Sequence, residues 1–77
     1  MIHSETIKLL TDEELSILYY ICGHPLVLGR CVTPDVKFIK MFKLNILLKL
    51  IEQFKHHALE ENKNIFDKLS EKLSQNP

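Results

Sequence analysis

The stretch TPDVKFIKMFKLNILLKLIEQFKHHALEENKNIFDKLSEKLS, residues 33–74, decides the fold. It opens with helix-start chemistry: Thr33 as a cap, Pro34 at the first helical position, where its missing N–H costs nothing, and Asp35 beside the positive end of the dipole. Placed at 100° per residue, Ile39, Ile46, Leu47, Leu50, Ile51, Phe54 and Ala58 fall on one side, and Ile65, Leu69 and Leu73 continue it. The series 47, 51, 54, 58, 62, 65, 69 and 73 advances by threes and fours at close to the pitch of a straight helix. One apolar stripe can therefore persist for most of the segment.

Two features disturb the stripe. Phe38, Met41 and Phe42 lie opposite it, so the first turns present a different apolar side or the helix kinks near Asn45. Glu60-Glu61-Asn62-Lys63-Asn64 is wholly polar, so the helix is wet there, or it breaks and Asn64 caps a last short helix. The tail beyond is polar apart from Ile65, Phe66, Leu69 and Leu73. Its Asp67–Glu71 and Lys68–Lys72 pairs repel at i,i+4, so it needs a surface to pack on.

Upstream, Thr11-Asp12-Glu13-Glu14 has the spacing of a capping box, with Leu10 and Leu15 placed as a hydrophobic staple. Three acids in the first turn complement the dipole. The helix predicted over 12–22 has almost no polar face after that turn, so it must be buried on more than one side. Gly23 and Pro25 stop it. Residues 26–32 are expected to be an irregular link rather than helix. Residues 1–10 are either a short helix after Ser4 or an extended lead-in, with ends at 1–6 and 75–77 expected to fray.

These elements predict an all-α protein. A short helix (12–22) packs on a long, broken or unbroken helical segment (34–74) in a single domain spanning 1–77. Two glycines and three prolines in 77 residues leave few turns, in keeping with few long elements. An unbroken helix over 34–74 would be about 60 Å long, and helix 12–22 covers only about 16 Å of it. Either the long segment folds back on itself near 60–64, or a second copy covers the remainder. Because apolar patches of that length are rarely left to water, the expectation is a homodimer.

Composition narrows the function classes. With 45% hydrophobic and 26% charged residues the chain is of globular type. Lysine plus arginine equals aspartate plus glutamate, ten of each, so no global field recruits nucleic acid or anionic membrane. The charges are nonetheless segregated: residues 1–29 are net acidic, 30–57 net basic, and 58–77 slightly acidic. No basic region followed by an apolar run and a cleavage site is present, and no uncharged stretch is long enough to span a bilayer. A cytoplasmic protein with reduced thiols and no membrane contact is expected.

Several residues are candidates for chemistry. Cys22, His24 and Cys31 have the ligand types zinc prefers but not the spacing, and a cysteine nearly surrounded by apolar residues more often fills space. A Cys–His nucleophile also needs a pocket and an oxyanion site, for which a chain this short has little room, so no enzyme and no cofactor is expected. Lys37, Lys40 and Lys43 recur every three residues, as a ridge for phosphate or an acidic partner, or simply as a solvated face. Phe38, Met41 and Phe42 form an aromatic–methionine cluster suited to docking a helix, unless they pack inside the fold on Tyr19, Tyr20 and residues 26–28. His56 and His57 flank the stripe, as ordinary surface residues or as a pH sensor paired with Glu60 or Glu61. The expected function is non-catalytic binding of another protein, as a regulator, inhibitor or adaptor and as a homodimer, through Lys37, Phe38, Lys40, Met41, Phe42 and Lys43. The competing class is a nucleic-acid-binding regulator using Lys37, Lys40, Lys43 and Lys49.

Overall fold

The helix opening at Thr11 carries the architecture because it meets nearly every other element. The computed structural model describes residues 2–29 and 35–75, without the side chains of Leu26 and Leu28. Among the described residues the elements are α1 (Ser4–Lys8), α2 (Asp12–Cys22), α3 (Pro25–Leu28), α4 (Val36–Lys40), α5 (Leu44–His56) and α6 (Glu60–Ser74), with no strand. This is a small all-α bundle. Helix α2 packs against α3, α4, α5 and α6, and α5 packs against α6.

The capping box is formed as its spacing predicts. The Glu14 N–H donates to Thr11 Oγ1 at 3.2 Å, and the Thr11 N–H donates to Glu14 Oε1 at 2.8 Å. Two N–H groups that the helix itself cannot satisfy are thereby paired. Leu10 and Leu15, the staple positions, both lean on the core. Beyond the first turn Leu18, Ile21 and Cys22 are fully buried, as a helix with so little polar surface requires, while Tyr20 remains 61% exposed.

The segment 34–74 is three helices, not one. It breaks at residues 41–43 and 57–59, earlier in each case than the sequence suggested. The first break follows the phase change at Phe38, Met41 and Phe42: α4 buries Ile39, and a new start at Lys43 lets α5 bury Leu47 and Ile51 on its own axis. Asn45 does not mark the break; its side-chain oxygen accepts from the Ile46 N–H at 2.9 Å, satisfying a donor in the first turn of α5. At the second break, Lys55 and His56 end α5 while Glu60 and Glu61 begin α6, each charge complementing the dipole of its own helix. The polar run 60–64 is thus the first turn and a half of α6, and Asn64 lies inside the helix rather than capping it.

The reversal places α6 over α5, and the largest extent of the molecule is 29 Å against the 60 Å or so of an unbroken helix. Phe66, Leu69 and Leu73 of α6 join Leu18, Ile21, Ile39, Leu47 and Ile51 in one core. The stripe is sheltered by its own chain, so the length argument for a second copy no longer holds.

Of the two readings of residues 1–10 the helical one holds: α1 forms over Ser4–Lys8, with Ile2 and Ile7 in the core. Two further expectations are corrected. The link after Gly23 is not wholly irregular, because Pro25 starts the single-turn helix α3 instead of merely ending α2, proline being preformed for a first helical position. Gly29, at φ 75°, closes that turn, its N–H donating to the Pro25 carbonyl at 2.7 Å. The cap of α4 is Asp35, whose Oδ1 accepts from the Phe38 N–H at 2.9 Å; Thr33 and Pro34, where the start was expected, lie outside the described residues.

The repulsive pairs of the tail are answered by other helices. Lys72 Nζ lies 2.7 Å from Glu14 Oε1 on α2, and Lys55 Nζ of α5 lies 2.6 Å from Asp67 Oδ1. Local like-charge spacing in α6 is offset by tertiary partners.

Candidate partner-binding face

Helix α5 carries more apolar surface than the core consumes. Of its apolar residues, Leu47 and Ile51 are buried outright, while Ile46 is 45% exposed and Leu50 half-buried. The excess arc lines two adjoining grooves, neither of which has a residue of α6 in its wall. One, of about 600 Å³, is walled by Val27, Phe38, Met41, Phe42, Lys43, Ile46 and Leu50. The other, of about 470 Å³, is walled by Tyr20, His24, Val27, Leu50, Gln53, Phe54, His56 and His57. Val27 and Leu50 line both, so the two adjoin alongside α5.

Each end has an aromatic wall. Phe38 and Phe42 meet edge to face, with centroids 5.4 Å apart at 65°, and both lean on the core. Met41, at the C-terminus of α4, is 76% exposed beside them. At the other end Tyr20, His24 and Phe54 form a triangle of edge-to-face rings, with centroid separations of 5.2, 5.2 and 6.0 Å. Such contacts fix ring orientation.

The residues expected to bind a partner are therefore only partly assembled. Phe38, Met41, Phe42 and Lys43 share a wall, whereas Lys37 and Lys40 do not line it. The lysines form no single ridge: Lys37 and Lys40 lie on α4, while Lys43 follows the break as the N-cap of α5. The Lys40 ammonium is turned away to hydrogen-bond Ser4 Oγ on α1. Tyr20, His24, Val27, Ile46, Leu50 and Phe54 were not expected here. The readable signal was the width of the apolar arc on α5, which exceeds the stripe needed to face one neighbour.

Cys22 is fully buried, and burial pushes its thiol up to about 12, so it is not a ready thiolate at neutral pH. His24 packs in the ring triangle, and Cys31 lies outside the described residues. Among the described residues no three histidine, cysteine or acidic side chains are grouped as a metal would need. His56 and His57 are exposed, in keeping with ordinary surface residues, and His56 approaches Glu52, four residues before it, at 3.8 Å. No described helix is long and apolar enough to cross a membrane.

The fold and this face together define a small helical bundle with an open apolar groove. No protein-family model, curated protein or solved structure matches the chain.

Proposed function

We propose that the protein is non-catalytic and acts by binding another protein along the groove beside α5. The observation that supports this most directly is the exposure of Met41, Ile46 and Tyr20 along two adjoining apolar grooves, after the core has taken what it needs. Apolar surface gathered in a concave strip is what a docking site requires, whereas singly scattered residues such as Leu9 and Leu59 need no explanation. The regulatory or adaptor role expected from the sequence follows from such binding. A basic nucleic-acid ridge has less support, since Lys40 is engaged with Ser4 and Lys43 stands on a different helix from Lys37.

The test is cross-linking capture from the source cells by the protein and by its Met41→Glu, Ile46→Glu double variant. Loss of captured protein with unchanged helicity supports the reading. Equal capture by both forms, or salt-sensitive retention on heparin that the double variant preserves, overturns it.

A further inference from the structure

We draw no further inference here: the strongest candidate, the apolar face beside α5 lined by Tyr20, Met41, Ile46 and Leu50, belongs to the site already described, and nothing in the structure shows what covers it.

Discussion

Lys72 Nζ donates to Glu14 Oε1 at 2.7 Å and to the Leu9 carbonyl at 3.2 Å, so one ammonium joins α6 to the start of α2 and the end of α1. Glu14 is almost wholly buried yet accepts from its own capping partner as well. Burial by itself would raise its carboxyl, but the hydrogen bond from Lys72 and the Thr11 N–H outweigh burial and hold it below the ordinary 4.5. A lowered carboxyl contributes stability that is present above 4.5 and is lost as pH falls through the folded value.

Removing the ammonium strands that carboxylate. Lys72→Met should cost about 1–3 kcal/mol at pH 7, measured by urea unfolding, and Glu14→Gln should cost less. The gap between the wild type and Glu14→Gln should narrow as pH falls below 4.5. A gap that is constant from pH 7 to pH 3 would show that the pair contributes nothing.

Fully buried Leu69 and 65%-exposed Leu59 lie on opposite sides of the second break's consequences. Leu69→Ala should destabilise by about 2–5 kcal/mol, whereas Leu59→Ala should stay within about 0.5 kcal/mol. Similar costs for the two would mean that α6 does not cover α5.

Gly29 holds φ 75° with open space where a side chain would stand. Gly29→Ala should therefore cost about 1–2 kcal/mol from backbone strain alone, and Gly29→Asn less, since asparagine tolerates that region better. Thermal unfolding of the two variants checks the order.

In a Cys31→Ser background, Cys22 should resist an aromatic disulfide reagent at pH 8 in the folded protein and react at once in denaturant. Its thiol is buried and shifted to about 12, and only thiolate reacts. Rapid labelling in native buffer would show that the end of α2 opens readily.

Much of this architecture was readable because it is written locally. Thr11 and Glu14 announce a helix start within four residues, and the spacing of Leu47, Ile51, Leu69 and Leu73 announces the core side of α5 and α6. The breaks were harder, because periodicity survives a reversal: Ala58 keeps the stripe in phase across a turn that reorients the axis. The switch from Lys55 and His56 to Glu60 and Glu61 carried the missing information, since each charge marks the end or the beginning of a helix. The groove was the least legible part. Tyr20 meets Phe54, and Val27 lines the same groove as Leu50, only after tertiary folding, so no spacing along the chain brings them together.

The position of α2 among the other helices has a consequence for biosynthesis. Its apolar sides are matched by residues as late in the chain as Leu69 and Leu73, yet it emerges from the ribosome well before them. During that interval Leu18 and Ile21 have no cover from α6, and the nascent chain presents them to whatever is nearby. Substitutions that loosen α6 should therefore lower the yield of protein in the cell by more than their cost to the finished molecule suggests.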